Sequence, residues 1–417
     1  MKLPFFTKTT PKPRFTEEKF LALDIGTEVL KIILFRCSDL GVHILDSVRI
    51  LQPRLAMKAG VIQSLDRVLS NCKSGIQEIV KGLDEKDLPS KVVMGIAGEL
   101  VHGVSIVVNY SRKDRSATEV NLSEQNSIYE KVKEKVMQDG RQQMSVKYGI
   151  SSEDIEILHI TITGLEIGEM PVDSLVGFTG DKVKLHFYAS FAPCTYVDSL
   201  RKVAGELGLE IMEIVSLPFA MARVMEGSSQ KNFSGIFVDV GGGTTDVALV
   251  EKGSVSDTQI YAFGGRIISK RIATEMNLDY RHGEERKIRY SNGELDSNIS
   301  SKVRSLISKD LEVWAKGLRI ALSNMEGVDQ YPPFIYLCGG GALLPDVKRA
   351  IIEYPWTKEL RFMRFPKVYV MTPEKLDMVI DKKFCLKDAM DITPAGLARF
   401  AWDRIKYPER HYFVMPT

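Results

Sequence analysis

The most constraining feature of this chain is the stretch at residues 235–253, which reads GIFVDVGGGTTDVALVEKG. Two apolar runs flank a glycine-rich turn, a pattern that predicts a strand, a tight turn and a second strand. Glycines let the backbone approach a ligand closely, and consecutive N–H groups in such a turn form an anion-binding concavity. A plain β-hairpin is the alternative, but it needs fewer glycines than Gly241, Gly242 and Gly243 supply.

Polar side chains border this turn on both sides. Asp239 ends the first apolar run, and Thr244, Thr245 and Asp246 follow the glycines. A carboxylate beside a phosphate cradle would be repelled unless a cation lay between them, so Asp239 predicts Mg²⁺. Asp246 is expected to orient Thr244 or a metal-bound water.

A weaker copy of the pattern lies near the N-terminus, in FLALDIGTEVLKIILF at residues 20–35. Here Asp24, Gly26 and Thr27 separate two apolar runs. Two such copies in one chain suggest two similar halves that hold one nucleotide between them. Lys31 either reaches a β- or γ-phosphate or lies at a strand end as a surface charge.

A third glycine cluster follows a strand in FIYLCGGGALL, residues 334–344. Glycines at a strand-to-helix turn let a base or ribose lie against the backbone. The chain contains neither a G-x-x-x-x-G-K-[ST] P-loop nor a G-x-G-x-x-G motif with the expected acidic residue.

The three motifs resemble, in order and spacing, the phosphate-1, phosphate-2 and adenosine motifs of the actin/Hsp70/sugar-kinase ATPase superfamily. Within it, the chain is similar to the FtsA/PilM family in five further segments: VVMGIAG at 92–98, LPFAMA at 217–222, FGG at 263–265, GEERKIRY at 283–290 and TPAGLARF at 393–400. The resemblance implies an α/β, actin-like (ribonuclease H-like) two-domain ATPase fold with an inserted α+β subdomain.

The resemblance also implies a site for ATP between the halves, with Mg²⁺ held by Asp24 and Asp239, the two residues expected to be catalytic. Glu284 and Lys287 would face the ribose and base, although a solvent-exposed ion pair is the alternative for them. The full set of expected nucleotide contacts is Gly26, Thr27, Lys31, Gly241, Gly242, Gly243, Thr244, Thr245, Asp246, Gly265, Glu284, Lys287, Gly339, Gly340, Gly341 and Ala342.

The expected domain boundaries follow the same resemblance. They are a flexible basic tail at 1–18, a first domain at 19–87 and 179–233, an inserted subdomain at 88–178, a second domain at 234–266 and 331–393, a helical subdomain at 267–330 and a closing helix at 394–417. The insert is expected to be separable and to carry protein contacts. Its charged stretch at 111–135 is either a solvated helix face or a partner surface.

Composition limits the classes of function. The chain has 417 residues with 56 basic and 54 acidic side chains, so no global field attracts nucleic acid. Five scattered cysteines and the absence of a signal peptide predict a reduced, cytoplasmic protein, either free or at the inner face of the membrane. Few residues follow the closing helix, so a C-terminal membrane anchor is not expected. The basic N-terminal tail with Phe5 and Phe6 either is flexible or touches anionic lipid weakly.

The sequence therefore predicts an ATP-binding actin-like scaffold or adaptor of the bacterial cell-division machinery. Self-association into dimers or filaments and recruitment of an FtsZ-like tubulin homologue are expected. Hydrolysis should be slow, because Leu217 and Phe219 stand where some relatives carry a water-positioning side chain. The alternatives are a PilM-like ATP-binding component of type IV pilus assembly that binds a PilN-like peptide, and a sugar kinase of the same fold.

Overall fold

The computed structural model describes residue 15 and residues 17–112, 117–225, 233–325, 327–407 and 411–412. Most of the expected basic tail and the chain beyond residue 412 lie outside these residues, so the expectations for both ends stay open. In the described part of the chain, no helix is both long and apolar enough to cross a membrane.

The strands, labelled β1 to β18 in chain order, are Lys19–Ile25, Val29–Ser38, Gly41–Leu51, Met57–Lys58, Val61–Ile62, Lys91–Ile96, His102–Ser111, Ile155–Ile167, Met170–Val172, Lys182–Pro193, Glu210–Ser216, Gly235–Val240, Thr245–Glu251, Ser254–Tyr261, Phe334–Cys338, Lys367–Val370, Val379–Ile380 and His411–Tyr412. The α-helices, labelled α1 to α9, are Leu65–Ile79, Leu122–Tyr148, Cys194–Glu206, Leu217–Val224, Gly265–Glu275, Tyr280–Ser291, Ser297–Ser323, Pro345–Glu353 and Ile392–Lys406.

Two large sheets organise the molecule. The first has six strands in the order β11-β6-β1-β2-β3-β17, and the second runs β16-β15-β12-β13-β14-β7-β10-β8-β18, with β9 beside β8. Alternate residues of β1 serve two cores, because successive side chains point to opposite faces. Phe20 and Ala22 join the core between the sheets, whereas Leu21 and Leu23 pack toward α1 and α3.

Helices α4 and α9 form the layer between the two sheets. Helix α9 is buried at every position from Ile392 to Asp403, as expected for a helix that is covered on all sides. The two helices approach closely at Gly396, where a Cβ atom would lie 2.6 Å from the Ala220 carbonyl oxygen. This pair of helices therefore connects the core of the first half to that of the second.

Strand pairing corrects the expected limits of the insert. Strand β6 pairs in parallel with β1 and β11, so it is a central strand of the first sheet and the insert begins after it. Strand β10 pairs with β7 and β8, so it belongs to the insert and not to the first domain. The strands thus place the insert at about residues 99–193. The expected second-domain boundary at 393 is also too late, because β17 pairs with β3 of the first sheet.

The insert has a core of its own and a backbone connection to the second half. Helix α2 packs on β7, β8 and β10 through residues such as Ile128, Val132 and Val136. Strand β7 pairs with β14, with Val104 opposite Asp257 and Gly103 opposite Thr258. One sheet therefore runs from the second half into the insert, a continuity that the sequence motifs did not indicate.

Helix α2 has one buried and one solvent-exposed face, as the charged stretch at 111–135 suggested. Arg112 departs from that pattern, because its buried guanidinium pairs with Glu124 at 2.9 Å. Among the cysteines, Cys37, Cys72 and Cys338 are buried, and all five are free thiols.

Candidate functional site

The centre of the site is the turn between β12 and β13. The Gly241 N–H donates to the Thr244 carbonyl at 3.0 Å and closes the turn. Helix α5 begins next to it, and the N–H groups of Gly265 and Arg266 each donate at 2.9 Å, to the carbonyls of Gly241 and Gly242 respectively. The turn is therefore fixed to the N-terminus of a helix, the end that favours negative charge.

The turn between β1 and β2 faces this first turn from the other half. The Thr27 hydroxyl accepts a hydrogen bond of 3.0 Å from the Gly60 N–H, which fastens the β4–β5 hairpin to the turn. A Cβ on Gly243 would lie 2.5 Å from Thr27 Oγ1, and one on Gly242 would lie 2.4 Å from Glu28 Cγ. The two turns therefore touch, and larger residues at these glycines would push the halves apart.

The two turns border a cavity of about 450 Å³ between the halves, a volume typical of small-molecule sites. Both halves build its wall. The wall combines carboxylates, ammonium groups, glycine backbone and a few apolar side chains, including Asp24, Asp239, Asp246, Lys31, Lys287, Ile268, Ile288 and Leu343.

Lys31 lies inside this wall and is 12% exposed. Its ammonium nitrogen is 2.7 Å from Asp24 Oδ2, and the two residues are directly opposite on β1 and β2. Burial opposes the charge, but the Asp24 and Asp239 carboxylates outweigh it and raise the pKa of Lys31. The alternative of a surface charge at Lys31 is wrong.

Asp239 and Asp246 face each other on β12 and β13. Burial raises the pKa of Asp239, although Lys31 and a hydrogen bond from Thr393 act in the opposite direction. Burial and the Asp239 carboxylate raise the pKa of Asp246 well above its ordinary value. Within the described residues, Oδ1 of each carboxylate is buried without a hydrogen-bond partner. Such oxygens are costly unless a ligand or cation satisfies them.

The third glycine turn lies directly against Asp239. Gly339 has φ +80°, and a Cβ there would be 1.9 Å from Asp239 Oδ1. The Gly339 N–H donates to the Ala389 carbonyl at 2.8 Å, and the Thr393 hydroxyl donates to Asp239 Oδ2. The end of β15 and the start of α9 are thus both held at this carboxylate.

Helix α6 supplies an ion pair to the cavity wall. Lys287 Nζ lies 2.9 Å from Glu284 Oε2 and 3.4 Å from the Gly265 carbonyl oxygen. The Ser269 hydroxyl donates to the same Glu284 carboxylate. Both side chains of the pair line the cavity and are less than a quarter exposed, so a purely solvent-exposed pair is excluded.

Known proteins resemble this chain in sequence and in fold. Residues 236–382 match the family model of cell division protein FtsA. Over 349 residues the chain is 23% identical to the FtsA of Enterococcus hirae, across 79% of this chain and 74% of that one. It is 24% identical to the FtsA of Enterococcus faecalis over 189 residues, which span 41% of this chain and 43% of that one.

A solved structure of a PilM-PilN type IV pilus biogenesis complex aligns with a TM-score of 0.64 and 16% identity. The alignment covers 93% of this chain and 99% of that chain, and it establishes the fold. The chain is therefore similar to FtsA in sequence and shares the actin-like fold of PilM. The family resemblance and the fold class predicted from the sequence are therefore confirmed.

In this FtsA/PilM-like chain, most of the sequence-predicted site residues come together in one cavity wall. Those that line it are Asp24, Gly26, Thr27, Lys31, Asp239, Gly241, Gly242, Gly243, Thr244, Asp246, Gly265, Glu284, Lys287, Gly340 and Gly341. Their roles toward a nucleotide stay predictions.

Three predicted contacts do not line the cavity. Thr245 alternates with Asp246 along β13, so its hydroxyl points away, donating to the Phe263 carbonyl and accepting from the Trp314 indole. Ala342 is buried in the core of the second half. Gly339 does not line the cavity but lies against Asp239 and Val240, which do.

The motifs did not reveal Arg49, whose guanidinium faces the cavity wall from β3. It pairs with Asp388 at 2.9 Å and with Asp391 at 2.5 Å, and Arg49, Asp388 and Met390 all line the cavity. The segment that carries these carboxylates also bonds to Gly339 through the Ala389 carbonyl. Arg49 thus links the first sheet to the third glycine turn.

Proposed function

We propose that this protein binds ATP between its two halves and acts as an actin-like scaffold or adaptor in bacterial cell division. The observation that carries the proposal is the convergence of three glycine turns from distant parts of the chain on one cavity, where Lys31 lies among the carboxylates of Asp24, Asp239 and Asp246. Backbone N–H groups in such turns bind phosphate without side-chain entropy cost. The cell-division role is supported by the similarity to FtsA proteins, which extends over most of the length of one FtsA and over less than half of another.

We further propose that Mg²⁺ accompanies the nucleotide. Within the described residues, no group of three or more His, Cys, Asp or Glu side chains is arranged to hold a metal directly. Asp239 and Asp246, however, each present a buried carboxylate oxygen without a partner, and hard oxygen donors suit this ion. Asp24 and Asp239 would hold Mg²⁺ largely through its waters, with Asp246 beside them. When bound, the ion would neutralise phosphate charge.

Isothermal titration of Mg-ATP tests the proposed binding. Asp239→Ala should abolish binding, and the isosteric Asp239→Asn should weaken it severely, because the charge facing the cation is lost. The exposed carboxylate of Asp329, on the loop before β15, provides the control Asp329→Asn, which should bind as the unmodified chain does. Equal affinity in the Asp239 variants would remove this residue from the site.

Slow turnover is part of the proposal. Leu217 lines the cavity, and Phe219 is stacked on Tyr188 of the insert at 4.5 Å, so α4 offers no polar side chain there to hold an attacking water. Phosphate release without a partner should stay well below the enzyme median of about 10 per second. Release at ordinary enzyme rates would contradict this expectation.

A PilM-like role in type IV pilus assembly is the second candidate. It is favoured by the alignment that covers nearly all of the PilM-PilN chain, although that alignment concerns the fold. Two labelled partners, an FtsZ-like tubulin homologue and a PilN-like peptide, are each titrated with the ATP-loaded protein, and the one that binds separates the two roles. Sedimentation with and without ATP tests self-association. Transfer of labelled phosphate to a panel of sugars would instead favour the sugar-kinase alternative.

A further inference from the structure

Arg266 crosses from the second half of the molecule to the first. Its backbone belongs to the first turn of α5, and its N–H is bonded to the Gly242 carbonyl. Its guanidinium donates at 3.1 Å to each of the Thr27 and Met57 carbonyls, and it pairs with the Glu28 carboxylate. One side chain therefore holds three groups of the opposite half.

These three groups surround the turn between β1 and β2. Thr27 and Glu28 are part of that turn, and Met57 begins the β4–β5 hairpin, which is itself bonded to Thr27 through Gly60. Both members of the Arg266–Glu28 pair are about one-fifth exposed. A planar guanidinium with several donors suits such a contact, because its fork geometry is already organised.

We propose that Arg266 is a positioning residue that clasps the phosphate-binding turns of the two halves, and that its pairing with Glu28 sets the rate at which a polyphosphate leaves the cavity. The inference rests on the proposed ATP binding. A phosphate chain held between the two turns can leave only when Gly242 and Gly243 separate from Glu28 and Thr27. The Arg266 contacts must break in the same movement.

The clasp and a direct electrostatic effect on the phosphates predict different results for the Glu28 and Arg266 variants. Glu28 lines the cavity, so a purely electrostatic action on phosphate would make Glu28→Gln bind more tightly and Arg266→Gln more weakly. A clasp requires both partners, so both substitutions should accelerate release. The double variant should then resemble either single one, because the same contact is removed.

The test uses the full-length protein with Mg²⁺ and a fluorescent ATP analogue, chased by excess ATP in a stopped-flow instrument. Arg266→Gln and Glu28→Gln should each release the analogue about tenfold faster, the scale expected for a lost charge-assisted hydrogen bond. Arg266→Lys should lie between them and the unmodified chain. Arg271→Gln is the matched control, since Arg271 lies on the same helix and pairs with Asp310 within the second half.

The affinity for adenosine distinguishes the loss of the clasp from a loss of folding, because a variant that fails to fold would not bind adenosine. Its affinity should be the same in all variants, because it has no phosphate for the turns to hold. Opposite signs for Glu28→Gln and Arg266→Gln, or an unchanged release rate in both, would overturn the clasp while ATP binding stands. An unmodified chain that binds no Mg-ATP would overturn the proposed function and the clasp together.

Discussion

At the scale of single residues, Gly339 is a position where backbone and side chain compete directly for space. Gly339→Ala would place a methyl group 1.9 Å from Asp239 Oδ1 in a left-handed conformation. Gly82 also has a positive φ, +88°, but open space around it, so Gly82→Ala should carry only a backbone cost of about 1–2 kcal/mol. Gly339→Ala should lower the free energy of unfolding by a further ~1–3 kcal/mol.

Urea unfolding followed by circular dichroism measures this difference. The expected order of stability is the unmodified chain, then Gly82→Ala, then Gly339→Ala. Equal losses in the two variants would show that the end of β15 can move away from Asp239.

The pKa of Asp246 gives the nucleotide-free protein a defined dependence on pH. Because burial raises this pKa above the ordinary Asp range, the folded state holds a proton that the unfolded state has released. This stabilisation is complete below the ordinary Asp pKa of about 3.9 and is lost as pH rises toward the folded value. The free energy of unfolding should therefore fall with rising pH, by at most ~1.4 kcal/mol per pH unit for this proton.

Unfolding of Asp246→Asn in urea between pH 5 and pH 8, without nucleotide, should give a flatter profile than the unmodified chain. Asp329→Asn, on an exposed carboxylate, should reproduce the unmodified profile. Parallel profiles for all three proteins would mean that Asp246 is ionised throughout this range.

The sequence identified those site residues that belong to short local patterns. Glycine runs next to a carboxylate are visible in a few consecutive positions, and Asp24, Asp239 and Gly241 were found in that way. Arg49 and Arg266 were missed, because their partners lie 339 to 342 and 209 to 239 residues away and leave no periodicity. Thr245 was misjudged because a run of polar residues does not reveal which side of a strand each one faces.

At the scale of elements, the contact of α4 with α9 depends on the absence of one side chain. Gly396→Ala would place a methyl group 2.6 Å from the Ala220 carbonyl oxygen and force the helices apart, at a cost of about 1–3 kcal/mol. Gly205 in α3 has no atom within 4 Å of its Cβ position, so Gly205→Ala should be neutral or stabilising by up to ~1 kcal/mol.

The melting temperature of Gly396→Ala should therefore fall, whereas that of Gly205→Ala should rise slightly or stay the same. A Gly396→Ala protein as stable as Gly205→Ala would mean that α4 and α9 can separate without loss. That result would show that the close approach at Gly396 is not needed to hold the layer between the sheets together.

Most helices and strands could be predicted from hydrophobic periodicity, as α2 illustrates with Ile128, Val132 and Val136 at four-residue spacing on its buried face. Their grouping into domains could not. The apolar run of β6 is equally compatible with an insert and with a central strand, because strand partners are fixed by long-range packing. Only the pairing of β6 with β1 and β11 decides the matter.

At the scale of the whole molecule, the insert is less separable than its sequence suggested. Phe219 of α4 contacts Tyr188 and His159 of the insert, each at a ring-centroid distance of 4.5 Å. The two ends of the insert are nevertheless close, since a Cβ on Gly98 would lie 3.1 Å from the Tyr196 ring. Replacing residues 100–192 with a short Gly/Ser linker should lower the melting temperature, leave ATP binding in place and abolish self-association.

Calorimetry, isothermal titration and sedimentation measure these three properties separately. Excision of residues 88–178, the insert expected from the sequence, would remove β6 and should yield no folded protein. Self-association that persists in the shorter excision would place the contact surface outside the insert.

The pairing of β7 with β14 has a mechanical consequence. When the halves swing apart, a continuous hydrogen-bonded sheet obliges the insert to travel with the second half, although its chain enters and leaves through the first. The links at residues 97–101 and 193–194 then take up the rotation. A partner bound to the insert would therefore be attached to one side of the cleft, and each opening or closing of the cleft would move that partner.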